Sequence, residues 1–214
     1  TTGCRPEAAE VLVDMLNQNV VPTVPSQGSV GAAGDLAPLA HIARVACGYA
    51  ERPDSILDYR PNPKEALALI NGVSMTAALG AVAVVRIRRV LDSAVAATAM
   101  TMEAVGAGAG CIDERLLQAR NHPGGIEIGQ RLRGWLEDST QVAYENGADA
   151  FSIRSVPAVM GTLVEELCCT ETILEREING SGDNPLLIGG VWLEGGNFHG
   201  APIAQALDSI KIAL

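Results

Sequence analysis

Aromatic residues are nearly missing from this chain. Two tryptophans, three tyrosines and two phenylalanines make up 3% of 214 residues, although 48% of the chain is apolar. A β-sandwich fills its pleated faces with Tyr, Phe, Trp and Thr, and this composition does not supply them. Cations are scarce too. Fifteen Lys and Arg against 25 Asp and Glu leave a formal net charge of −10. That balance argues against nucleic acid or an anionic membrane as partner, since both call for a basic footprint. Cysteine-pair motifs are absent. Cys4, Cys47, Cys111, Cys168 and Cys169 are odd in number and form no CxxC spacing, so neither a zinc site nor a disulfide framework is expected, and no metal. They read as buried free thiols in a reducing, cytoplasmic compartment. The N-terminus, Thr1-Thr2-Gly3, has no signal-peptide pattern and no initiating Met, which reads as a fragment or a processed chain.

What the chain has instead is small side chains: 31 Ala and 23 Gly. Small residues let helices approach closely, and Ala is the best helix former. Modest charge with high apolar content excludes disorder. A chain of this length can bury roughly 70% of its unfolded surface. The expectation is an all-α fold, one mainly helical domain over residues 1–214.

The patterning places the helices. A first helix begins at Pro6, with Val11, Leu12, Met15 and Leu16 at helical spacing. Pro22, Pro25, Gly28, Gly31 and Gly34 then forbid regular helix. Asp35 reads as the cap of a second helix, DLAPLAHIARVACGYA. Residues 51–63 form a proline-bearing connection. A long helix is expected over about 72–105, with Met100 and Met102 in its core. HPGG reads as a turn before a short amphipathic helix near IGQRLRGWLED. Further helices are expected at Val156–Glu177 and after Pro202, with a hairpin in GGVWLEGGN. Residues 66–85 run twenty positions without a charge. That length meets a membrane span, but Asn71, Ser74 and Thr76 interrupt it, and a helix buried in a large bundle is the expected reading.

Three loops are glycine-rich, polar and set before a helix. In the first, Gly28-Ser29-Val30-Gly31-Ala32-Ala33-Gly34-Asp35-Leu36-Ala37-Pro38, the glycines could cradle an anion at a helix N-terminus. No Lys-Ser/Thr follows and no strand precedes, so neither a phosphate loop nor a dinucleotide fingerprint is met.

This segment, GSVGAAGDLAPLAH, resembles the active-site loop of the histidine and aromatic amino acid ammonia-lyases and their sister aminomutases. NPKEALALING resembles the family's KEGLALINGT, FSIRSVPAVMG its YSLRCxPQVxG, and GDNPLLI and GGNFHGAPIAQALD its DNPL and GGNFHG segments. The motifs keep the family's order along essentially all 214 residues. The resemblance implies a long-helix bundle of the fumarase/aspartase-like type. It also implies non-oxidative elimination of ammonia from histidine or an aromatic amino acid, giving an α,β-unsaturated acid. No external cofactor is implied. In the family an Ala-Ser-Gly tripeptide cyclises, losing two waters to give a methylidene-imidazolone; the matching positions are Ala32, Ala33 and Gly34. Asn71 would be the side-chain amide beside that group, and Arg154 the grip on the substrate carboxylate, a task suited to a planar, always charged guanidinium. Phe198 would pack beside the ring, with His199 reaching the pocket, and Phe151 holds the place of a proton-handling Tyr. The family assembles as a homotetramer with three chains lining each site, so a homo-oligomer, or a complementing chain, is expected.

The departures bear on activity. Ala33 has no hydroxyl to eliminate, so the methylidene does not form by the family's route. Ala33 can be natural, engineered, or a modified residue written as alanine; Phe151, which lacks the phenol, favours divergence. Ala148 and Ala158 replace two Gln, and the family's chains are about twice this length, with a catalytic Tyr loop before and a Glu-bearing helix after the matching part. Three functions stay open: an ammonia-lyase, intact or disabled; a catalytically dead amino-acid-binding or scaffolding homologue; and a repurposed enzyme independent of the electrophile.

Overall fold

The computed structural model describes residues 2–29, 34–142 and 149–214. They form nine α-helices, a short 3-10 turn and one hairpin. The helices are α1 (Glu7–Asn17), α2 (Leu36–Ala46), α3 (Pro63–Ile70), α4 (Ser74–Ala104), α5 (Glu114–Arg120), α6 (Pro123–Trp135), α7 (Phe151–Arg154), α8 (Val156–Asn179) and α9 (Ala201–Ala213). Strands β1 (Leu186–Ile188) and β2 (Val191–Leu193) pair antiparallel, with Leu187 opposite Trp192. The two residues between them, Gly189 and Gly190, have φ of +57° and +83°, the left-handed pair that a two-residue hairpin turn needs. The expected all-α architecture is present. The chain divides into two compact units, residues 1–80 with 173–205, and residues 81–172 with 206–214.

In the first unit, Val11 and Met15 lie one turn apart on α1. They pack with Val45, Ala46 and Cys47 at the end of α2 and with Ile56 and Tyr59 of the connection. Helix α3 begins with a complete capping box: Asn62 accepts from the Glu65 amide, Glu65 accepts from the Asn62 amide, and Pro63 opens the helix. Asp35 departs from expectation. It stands at the start of α2, but its side chain does not bond that helix's amides. Its buried carboxylate accepts instead from the Thr76 amide and hydroxyl, both at 2.7 Å, and from the Ser29 hydroxyl at 3.0 Å. It therefore caps α4, 41 residues away. Asp35→Ala should lower stability by about 1–2 kcal/mol, read as a lower urea midpoint.

In the second unit, Val84, Leu91, Val95 and Met102 form one buried stripe of α4, while Val82, Val85, Val90 and Met100 are exposed. Met102 is thus core and Met100 is not. The apolar run Pro63–Ala104 holds a window long and apolar enough to cross a membrane by length and composition, and 28% of that window is buried. It was expected to be buried; the chain's own residues bury about a quarter of it. The HPGG segment is not a separate turn. Pro123 sits in the first turn of α6, where a proline has no amide to lose, and Gly124 and Gly125 lie against the backbone of α8. Arg88 of α4 pairs with Glu171 of α8. The five cysteines are free, but only Cys47 is buried; Cys168 and Cys169 are exposed on α8.

Candidate active site

The sequence places Ala32, Ala33 and Gly34 at the centre of the site. Ala32 and Ala33 lie outside the described residues, as does Ala148. Gly34 is described, and its backbone is closely held. Its φ is +95°, and a β-carbon there would lie 2.8 Å from the Gly72 carbonyl oxygen. That same carbonyl accepts from the Asp35 amide at 2.8 Å. Gly72 in turn has φ +84°, and a β-carbon on it would lie 2.7 Å from the Gly182 carbonyl oxygen. Three backbone segments of the first unit are thus stacked through glycine. They are the end of the 28–34 loop, the exit of α3 and the turn that follows α8. Only glycine tolerates both the left-handed φ and this approach.

The stack sets Gly34 against the residue that follows Asn71. Asn71 ends α3 in an extended conformation. Its amide nitrogen donates to Asp183 Oδ1 at 3.0 Å and, more loosely, to the Asn184 carbonyl at 3.4 Å. Its oxygen accepts from the Gly72 amide at 3.1 Å. Asp183 is 5% exposed and also pairs with Lys64. Lys64 and Asp183 belong to two of the motifs quoted above, KEALALING and GDNPLLI. Nothing in either motif alone reveals that they meet, because they lie 119 residues apart.

Phe198 is half-buried and His199 exposed, both in the segment leading into α9. His199 Nδ1 accepts from the Ala201 amide at 3.1 Å, at the start of α9. In its neutral form the imidazole therefore carries its proton on Nε2, which makes no hydrogen bond among the described residues.

Arg154 and Phe151 belong to the second unit. They are the two ends of the four-residue helix α7. Phe151 is 77% exposed. Arg154 makes no ion pair among the described residues, and it lines a cavity of about 760 Å³ with Cys111, His122, Ala158, Thr162 and Glu165. Burial pushes the Cys111 thiol up from its ordinary range; Asp149 adds to the shift and Arg154 opposes it. Ala158, at the position of a family Gln, widens this cavity by contributing only a methyl. No cluster of three His, Cys, Asp or Glu suited to a metal occurs among the described residues.

Known proteins resemble this chain in sequence and fold. Residues 1–214 match the family described as aromatic amino acid lyase. A histidine ammonia-lyase of Caldanaerobacter subterraneus subsp. tengcongensis is 37% identical over 232 aligned residues, covering 100% of this chain and 46% of the relative. The histidine ammonia-lyase of Trypanosoma cruzi superposes with a TM-score of 0.85 at 35% identity, over 99% of this chain and 43% of its own. The tyrosine aminomutase of Streptomyces globisporus superposes with a TM-score of 0.87 at 29% identity, over 98% of this chain and 46% of its own. The chain spans about half the length of the curated relatives it matches. With motifs, fold and relatives in agreement over its whole length, the chain belongs to the aromatic amino acid lyase family, which holds the histidine and aromatic amino acid ammonia-lyases and their aminomutase kin.

Proposed function

We propose that this chain is the central part of an amino acid ammonia-lyase whose elimination step is disabled by Ala33. The observation that carries the reading is the glycine stack, which holds the end of the 32–34 segment against Gly72 and hence beside Asn71. Gly34 matches the glycine of the family's cyclising tripeptide, and its left-handed backbone is held closely against Gly72, which supports the reading. The side chain at position 33 does not fit, because alanine has no hydroxyl to lose as water. No catalytic step is therefore assigned to the group in this chain.

The chain's own residues supply binding. Arg154, without a carboxylate partner among the described residues, offers a bidentate grip on the α-carboxylate of an amino acid. Phe198 presents an aromatic face and His199 an Nε2–H. Phe151 leaves the proton relay short of one member. Histidine and aromatic amino acids are the substrate class, which the names of the relatives support. The exposed apolar face of α4 supports a homo-oligomer, with a tetramer as its form, and a cytoplasmic location accords with the free thiols. A second reading, an amino-acid-binding pseudoenzyme, is favoured by one observation: Ala33 and Phe151 both lack the reacting groups, while Arg154 is kept.

One experiment separates the two. The chain and its Ala33→Ser variant are weighed by intact-mass spectrometry, assayed with His, Tyr and Phe for ammonia, and tested for amino acid binding by calorimetry. The expected result is an unshifted mass and no ammonia for the chain, and for the variant a mass lower by two waters with ammonia released. Silence in both with amino acid binding retained would establish the pseudoenzyme. Ammonia from the unsubstituted chain would refute the claim that Ala33 disables it.

A further inference from the structure

We infer that Asp183, backed by Lys64, is a positioning residue that fixes the direction of the Asn71 side-chain amide. The inference rests on the proposed place of Asn71 in the site. An Asn amide has two orientations of nearly equal shape, and the charges around it decide between them. Here the nitrogen faces Asp183 Oδ1 at 3.0 Å and the oxygen faces the Gly72 amide at 3.1 Å. Turned over, the amide would set oxygen against carboxylate and NH2 against N–H, two repulsive contacts in place of two hydrogen bonds. The carboxylate therefore acts as an orientation lock.

Asp183 is equipped for that task. It is 5% exposed, and burying a carboxylate is costly unless it is paired and its lone pairs are filled. Three donors fill them: the Lys64 ammonium, the Asn71 amide and the Asn184 backbone amide at 2.7 Å. Lys64 lies in the first turn of α3 and Asn71 at its end, seven residues apart. That spacing is two turns and puts both on one face, so a single carboxylate braces the helix at both ends. An ionised carboxylate only accepts hydrogen bonds and so demands the nitrogen of Asn71. Among the described residues the second amide N–H meets only the distant Asn184 carbonyl at 3.4 Å. It is the donor left for a ligand, and the lock points it.

The test is amide exchange in the 214-residue chain. The Asn71 side-chain NH2 pair is assigned by nitrogen-15 NMR through its loss in Asn71→Asp, and its solvent exchange is measured. Asp183→Ala should speed that exchange by about tenfold, the loss of a hydrogen bond to a charged acceptor. Lys64→Met, which leaves the helix intact, should move it the same way, and Lys64→Arg should restore it. Melting curves identify variants that simply unfold, in which case the Lys64 pair decides. Unchanged Asn71 exchange in folded Asp183→Ala or Lys64→Met would overturn the inference. In an Ala33→Ser background that releases ammonia, Asp183→Ala should lower kcat about 100-fold with KM little changed; an unchanged kcat would also overturn it. If Ala33→Ser releases none, the proposed function fails, and the exchange measurement still decides the lock.

Discussion

Gly124→Ala and Gly161→Ala should each unfold the second unit or cost it about 3 kcal/mol or more, beyond the ordinary range for overpacking. A β-carbon on Gly124 would lie 2.0 Å from the Gly161 carbonyl oxygen and 2.7 Å from its carbon. A β-carbon on Gly161 would lie 2.4 Å from the Gly125 nitrogen and 2.7 Å from Gly124 carbonyl carbon. These obstacles are backbone, which cannot swing aside as a side chain can, so α6 would have to move off α8. That movement would also break the hydrogen bond of 3.0 Å by which Glu165 of α8 caps the Gly124 amide. Two glycines of the same helix serve as controls. At Gly129 the close atom is the Leu117 Cδ1 methyl at 2.0 Å, the end of a flexible side chain, so Gly129→Ala should cost less than either. At Gly134 nothing lies within 4 Å, so Gly134→Ala should stabilise by about 0.5–1 kcal/mol through helix propensity alone. Urea unfolding followed by circular dichroism ranks the four. A Gly124→Ala variant as stable as the parent would show that the α6–α8 contact is not close-packed.

The same glycines show which parts of this fold were legible in the sequence. Apolar helix-forming runs bounded by proline and glycine announced α1, α4, α8 and α9, since helix propensity and breakers are local properties. The hairpin expected within GGVWLEGGN lies earlier: its first strand is Leu186–Ile188, and Gly189 and Gly190 form its turn rather than its start. HPGG was read as a turn because Pro and two Gly ordinarily mark one. Its real role is close approach to Gly161, 37 residues further on, and no local pattern encodes that partner. Asp35 misled in the same way: position made it a cap for α2, whereas the unsatisfied amide at Thr76 claimed it across 41 residues. In the site, the motifs named Gly34 and Asn71, but not the Asp183 carboxylate that binds Asn71 across 112 residues. Periodicity says which face of a helix is apolar and is silent about which charged groups meet. The exposed apolar face of α4 was illegible for a different reason. An all-round apolar helix signals burial without saying whether the chain itself provides the cover.

Glu65→Gln should cost about 3 kcal/mol, the low end for breaking a buried ion pair because Arg5 is half exposed. The substitution is nearly isosteric, so packing alone would predict little. The Glu65 side chain is fully buried, and its two oxygens accept from five donors. Oε1 takes the Arg5 amide at 3.0 Å and Arg5 Nε at 2.7 Å; Oε2 takes Arg5 Nη2 at 2.8 Å, the Tyr59 hydroxyl at 3.0 Å and the Asn62 amide at 3.0 Å. An amide group must replace one oxygen by NH2, and on either side that nitrogen would face donors. The effect has a distinctive pH signature. The Arg5 hydrogen bond, with further help from the Arg5, Asn62 and Tyr59 donors, holds the Glu65 carboxyl far below its ordinary value of 4.5, against the opposing cost of burial. A group depressed on folding gives its full stability above its unfolded pKa and loses it as pH falls toward the folded one. The parent should therefore be stable and flat from neutrality down to about pH 5, then lose stability steadily below that as the unfolded chain takes up the proton first. Glu65→Gln should start lower at pH 7 and fall less between pH 5 and pH 3, so that the two curves converge in acid. Arg5→Lys, which keeps the charge but not the bidentate fork, should lie between them. Parallel curves for parent and Glu65→Gln across that window would mean that the Glu65 carboxylate does not hold α3 to the N-terminal segment through its charge.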